Sequence, residues 1–173
     1  VVAMEQEGAI PQRTIAEAVS SGELSLVVGK VLLLNQKGAL ITDGTNVLYG
    51  YTGATVEGVA VGDVVEMIGT VTLYNGGRSM NKPTIAASAA TVAAYTAPSP
   101  IVLDAARFAE YTSTTADFTT PYVSITGVAE VDKYNNIIVK LVDGETTYSI
   151  KSYYGLDSFA DWAGKTVDVR GYA

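Results

Sequence analysis

The chain has 173 residues, 48% of them hydrophobic and 17% charged, with 11 basic side chains against 18 acidic ones and a net charge of −7. That composition supports a packed core, in one large or two small domains, and argues against disorder. With neither His nor Cys, the chain cannot build Ser-His-Asp or Cys-His catalysis, a Cys/His zinc site, Cys- or His-ligated iron, or a disulfide.

In chain order, Thr14 and Glu17 have the spacing of a capping box, in which a hydroxyl and a carboxylate each satisfy a free amide. Ile15, Ala18 and Val19 share one face of the helix that follows, and Gly22 is placed to stop it. Residues 24–34 predict a long strand. Turns at Lys37-Gly38 and Asp43-Gly44 lead into strands 39–42 and 46–51. A looser connection precedes a second long strand, 63–73, and Asn75-Gly76-Gly77 turns the chain into a fifth, 78–85. The uncharged stretch between Lys82 and Asp104 is rich in Ala, Ser and Thr and broken by Pro98 and Pro100, too polar to span a bilayer. No signal peptide is recognised, and a chain starting at Val1 is compatible with a leader already removed.

A second helix is expected over 103–111, with Asp104 as its cap, and then a strand over 122–131 in which Val123, Ile125, Ala129 and Val131 share a face. Asn135-Asn136 and Asp143-Gly144 bound strands 137–142 and 146–151. Leu156, Phe159 and Trp162 recur at one helical turn, predicting a helix that plugs a barrel end with Phe159 and Trp162. Residues 166–172 form the last strand.

The second half repeats the grammar of the first. Gly29 corresponds to Gly127, Asp43-Gly44 to Asp143-Gly144, Gly62 to Gly164 and Gly69 to Gly171, at offsets that drift from 98 to 100 to 102 residues. An internal duplication with small loop insertions accounts for this. Five strands per unit, a long first strand bent at a mid-strand Gly, and an optional helix after the third strand describe an OB-fold barrel. An immunoglobulin-like sandwich would need about seven strands per unit. The expected fold is all-β: two tandem five-stranded OB-like barrels with short capping helices. The N-terminal helix and first barrel occupy 1–96; the linker, second helix and second barrel occupy 97–173. The second unit reaches Ala173 just after its fourth strand, so its fifth is expected to be missing, supplied by another segment, or part of a longer protein.

Several stretches carry a family likeness: Thr14-Ile15-Ala16-Glu17-Ala18, the turn through Ile41-Thr42-Asp43-Gly44, Val61-Gly62-Asp63-Val64-Val65, and Gly69-Thr70-Val71 followed by Tyr74-Asn75-Gly76. Together they resemble the tandem OB-like units of uncharacterised Bacteroidetes envelope lipoproteins and the OB domains that accompany secreted bacterial nucleases. The resemblance covers most of the chain, in turn and strand grammar. It implies an exported protein that is periplasmic, anchored at the outer membrane or extracellular.

OB barrels bind ligands across strands two and three and the adjoining loops. With Ile41 and Leu48 inward, that face of the first unit carries Tyr49 and Tyr51. Lys37 lies in the first loop, and Tyr74, Asn75, Arg78 and Lys82 lie at or after the last hairpin. Rings interleaved with cations suit single-stranded nucleic acid, although the net negative charge opposes it unless cations cluster locally. Sugar rings stack on Tyr in the same way, and the same tyrosines also serve as ordinary strand residues packing across a sheet. The second unit offers Lys140, Thr147 and Lys151, with Lys133 and Tyr134 in its first loop and Tyr153 and Tyr154 after its third strand. Outward Lys also serves solubility and edge protection.

Catalysis finds little support. Asp157 and Asp161, at helical i,i+4 spacing, read as a solvated face, and Asp43 and Asp143 as turn formers. There is no Gly-rich phosphate loop, and the stretch from Asp132 to Asp143 lacks the intervening acidic ligands of a calcium loop. No catalytic residue, metal or cofactor is assigned. The sequence reads as a non-catalytic binding module for an oligonucleotide, a glycan or a protein, or as a spacer for a neighbouring catalytic domain.

Overall fold

The computed structural model describes residues 8–74, 77–111, 120–152 and 156–173. Helix α1 (Ile15–Ser21) begins at the predicted capping box: the Glu17 amide donates to Thr14 Oγ1 at 3.2 Å, and the Thr14 amide donates to the Glu17 carboxylate at 2.8 Å. Gly22 ends it in the left-handed conformation, φ 62°. Strands β1 (Ser25–Asn35), β2 (Gly38–Thr42) and β3 (Val47–Tyr51) form the expected antiparallel meander. β4 (Val64–Gly69) pairs with β1 on the side away from β2. After Thr70 the chain continues as β5 (Val71–Tyr74), so the single strand expected over 63–73 is two pieces.

The strand expected over 78–85 is also broken. β6 (Gly77–Asn81) pairs antiparallel with β5 and parallel with β3, whereas β7 (Thr84–Ala87) pairs with β4. Lys82 takes a left-handed φ of 52°, and Pro83 has no amide to give to a ladder, so the chain leaves one partner and joins another there. The resulting order, β5-β6-β3-β2-β1-β4-β7, places β4 and β5 far apart in the sheet although one residue separates them in the chain. The sheet therefore curls into a half-barrel. Its core gathers Ile15, Val27, Ile41, Leu48, Met67 and Met80, all fully buried.

In the second half, β8 (Ile101–Val102) runs parallel to β9 (Tyr122–Val131) and leads into helix α2 (Ala105–Tyr111), where the Arg107 amide donates to Asp104 Oδ1 at 2.9 Å. β10 (Ile137–Asp143), β11 (Thr146–Lys151) and β12 (Thr166–Tyr172) complete a sheet in the order β11-β10-β9-β12. Its core includes Leu103, Phe108, Ile125, Val139 and Val167. The helix expected around Phe159 is a short 3₁₀ helix (Asp157–Trp162). Phe159 packs against this core as expected, but Trp162 is 46% exposed and plugs nothing. Trp162 ends the helix, and its carbonyl takes the Lys165 amide at 3.0 Å as the chain turns toward β12.

The two sheets share local bonding at positions that the sequence offsets relate. β1 meets β4 with Gly29 opposite Val65, and β9 meets β12 with Gly127 opposite Val167. Val31 donates to the Asp63 carbonyl at 2.8 Å and accepts from the Gly62 amide at 2.9 Å. Ala129 does the same with Lys165 at 2.9 Å and Gly164 at 2.8 Å. Ahead of each helix, the Arg13 amide donates to Leu26 at 2.9 Å and the Leu103 amide to Ser124 at 2.8 Å.

Neither mid-strand glycine uses a left-handed backbone; space is the constraint. A Cβ on Gly29 would stand 2.7 Å from Ile41 Cδ1, and one on Gly127 would collide with the Lys140 carbonyl oxygen. The register of β1 against β2 slips at an irregularity between Val31 and Leu33, just beyond Gly29, so the glycine provides close approach rather than the slip itself. Gly29→Val is expected to cost about 1–3 kcal/mol by overpacking. Gly127→Val should cost more, because its Cβ meets a backbone carbonyl oxygen more closely than that of Gly29 meets side-chain atoms of Ile41, Cδ1 at 2.7 Å and Cβ at 2.9 Å. Urea unfolding of both variants checks this ordering; two melts equal to wild type would contradict it.

Candidate functional site

Alternation along β3 sends Leu48 into the core and turns Tyr49 and Tyr51 to the other side of the pleat. Across the parallel seam, Tyr49 lies beside Ser79 and Tyr51 beside Asn81, while Ser79 and Gly77 stand opposite Thr72 and Tyr74 of β5. Tyr74 therefore shares the face of Tyr49 and Tyr51. Arg78 has the parity of buried Met80 and falls on the other side of the pleat at the strand's start. The two exposed rings are Tyr51, at 40%, and Tyr74, at 73%. Four residue steps along β6, about 13 Å, and two strand spacings across it, about 10 Å, set them about 16 Å apart.

Tyr49, between them, is tied down. Its hydroxyl donates to Asn35 Oδ1 at 3.0 Å, and burial pushes the phenol pKa up. The same Asn35 oxygen accepts the Lys37 amide at 2.8 Å, so one side chain holds both the ring and the β1–β2 turn. The Lys37 carbonyl accepts the Thr52 amide at 2.8 Å, and its ammonium reaches the Gly53 carbonyl at 3.5 Å. From the other side, the Lys82 amide donates to the Tyr51 carbonyl at 2.6 Å. Lys37, Tyr51 and Lys82 thus converge at one end of β3, and among the described residues no ion pair neutralises either lysine. Asn75 lies outside the described residues, as do Tyr153 and Tyr154.

The second half has different electrostatics. Lys140 is paired with Glu130 at 2.6 Å and Lys151 with Asp132 at 2.7 Å. Lys133 sits over the ring of Tyr134, 4.9 Å from its centre, and Thr147 is exposed on β11. Asp132 organises the β9–β10 turn, accepting amides from Tyr134 at 2.9 Å and Asn136 at 3.0 Å as well as the Asn136 side chain at 3.1 Å. The Lys151 ammonium, reinforced by these donors, holds its carboxyl well below the usual carboxylate range. Asp157 and Asp161 do not act together: at three residues per turn an i,i+4 pair does not stack, and Asp157 accepts from Asn135 Nδ2 at 2.8 Å.

Sequence reasoning missed two structural roles. Asp43 does more than form its turn: Oδ1 accepts the Thr45 and Asn46 amides, and Oδ2 accepts the Ile15 amide at 2.8 Å, tethering α1 to the β2–β3 hairpin. The signal was available, because a capping box leaves other first-turn amides to be satisfied. The second is a tyrosine cluster. The rings of Tyr122 and Tyr172 lie 4.9 Å apart, and the Tyr172 hydroxyl donates to that of Tyr95 at 3.0 Å, fastening the connection after β7 to the second sheet. Burial first, then Tyr95, pushes the Tyr172 phenol up.

Among the described residues no acidic cluster is arranged to hold a metal ion, and no helix is long and apolar enough to cross a membrane. Comparison with protein families, with curated proteins and with solved structures found no match to this chain.

Because the folded pKa of Asp132 is lowered, the stability that it contributes is present above its ordinary value of 3.8 and is lost as pH falls through the depressed one. Asp132→Asn should therefore melt below wild type at neutral pH, with the gap shrinking below about pH 5. A gap that persists undiminished in strong acid would contradict this account.

Proposed function

We propose that the chain is a non-catalytic binding module of an exported bacterial protein, made of two OB-like units of one duplicated plan. Its first unit takes single-stranded nucleic acid on the face of Tyr51 and Tyr74. The observation that carries the binding site is the exposed Tyr51 at the end of β3 where the backbones of Lys37 and Lys82 converge, with Tyr74 further along the same face. Bases stack on rings while ammonium groups meet phosphates, and two rings about 16 Å apart give more than one base a platform.

The OB-like reading is supported by strand pairing in the first sheet. A long first strand pairs on both sides, the third and last barrel strands pair in parallel, and β4 runs on into β5 to reach β6. The duplication is supported by the backbone bonds that recur between related positions, including those of Val31 and Ala129. Absence of His and Cys supports a non-catalytic role. Export is supported by the family resemblance alone.

A second reading, an adaptor module for a neutral glycan or a protein, is favoured by the net charge of −7 and by the carboxylates that neutralise Lys140 and Lys151. Salt dependence separates the two. Two phosphate contacts, from Lys37 and Lys82, give a single strand a log–log affinity slope of about −1.4. A neutral ligand gives none. Titration of a short oligothymidine at low salt should saturate with that slope, and Tyr51→Ala should cost about 1–3 kcal/mol of binding. No binding at low ionic strength would remove the nucleic-acid reading.

A further inference from the structure

We infer that residues 88–95 are a strap that fixes the second sheet against the first, with the hydroxyl bond between Tyr95 and Tyr172 as its latch. The two halves of the chain move as one body while the latch is closed, and opening it turns the connection into a hinge.

The composition of this stretch reads otherwise. From Ser88 to Pro100 there is no charged side chain, and Ala, Ser and Thr dominate, which reads as a loose linker. Joined domains ordinarily swing against one another unless a large apolar interface holds them. Here every extensive contact between the described strands and helices lies within one half. The connection itself therefore has to hold the halves together.

It is fastened to both. The Ser88 amide donates to the Val64 carbonyl at 2.9 Å, and the Ser88 hydroxyl donates to the Glu66 carboxylate at 3.2 Å, continuing the hold of β7 on β4. By Ala93 the chain has reached the β2–β3 turn, where a Cβ on Gly44 would stand 2.9 Å from Ala93 Cβ and 3.1 Å from the Ala93 carbonyl oxygen. β4 and β2 flank β1 on opposite sides, so the strap crosses β1 between these two holds. Tyr95 then accepts the Tyr172 hydroxyl at 3.0 Å, and the Tyr172 ring is packed on Tyr122 of β9.

Ala94 alone lies between the last hold on the first half and the first hold on the second. Two residue steps span at most about 7 Å, which leaves the halves no room to swing. With the latch open, the next fixed point is Ile101 of β8, paired with Val123. The free reach from Ala93 then grows to eight steps, up to about 28 Å.

Backbone amide NMR relaxation on the full chain tests this. In the wild type, amides of β1–β4 and of β9–β12 should report one rotational correlation time. Tyr95→Ala removes the latch and leaves the Tyr122–Tyr172 pair in place. Both halves should then tumble about 1.5-fold faster, as each approaches the motion of its own mass, with amide shifts in β1–β3 and β9–β11 unchanged. Tyr95→Phe, which loses the hydroxyl alone, should shorten the correlation time by less. Two different correlation times in the wild type overturn the inference, and so does an unchanged common value in Tyr95→Ala. An unchanged value in Tyr95→Phe overturns the hydroxyl latch whether or not Tyr95→Ala folds.

Discussion

The constraint on which the rest of this molecule depends is that one long strand in each half must pair on both of its edges. β1 holds β2 along its second half and β4 along its first, and β9 holds β10 and β12 in the same manner. A strand shared in this way brings its neighbours close at the point where the pairing passes from one edge to the other. Gly29 and Gly127 sit at those points, where a side chain would meet Ile41 in one case and the Lys140 backbone in the other. With such a strand in place, the core of each half forms on its inner face.

From that arrangement the candidate site follows in short steps. Lys82 and Pro83 end β6, which frees the next residues to pair with β4 and leaves β6 beside β3. The parallel seam sets Tyr51 next to Asn81 and brings Lys82 to its carbonyl, while Asn35 braces Tyr49 and the turn that carries Lys37. The same backbone break thus ends a strand and bonds the backbone of one of the two lysines to that of Tyr51. In the second half Lys140 and Lys151 are engaged by Glu130 and Asp132, so the pair of lysines proposed for binding belongs to the first half.

Local chemistry made part of this legible in the sequence. The capping box of Thr14 and Glu17, the stop at Gly22, the hairpins at Asp43-Gly44 and Asp143-Gly144, and the inward alternation of Val123, Ile125 and Ala129 all depend on neighbours within a few residues. What stayed hidden depends on register. That Lys140 meets Glu130 or that Tyr49 reaches Asn35 cannot be read from spacing, because a shift of one residue moves every side chain to the other face. The break at Pro83 is a different case. A proline inside a strand pattern is a warning in itself, and here it marked a change of partner rather than the end of pairing.

The most direct test of the account is an NMR titration of the full chain with a short oligothymidine at low salt. The account predicts shifts concentrated on the amides of Lys37, Tyr51, Lys82 and Tyr74, with β10 and β11 unmoved. Shifts centred on the second sheet, or none at any concentration, would contradict it.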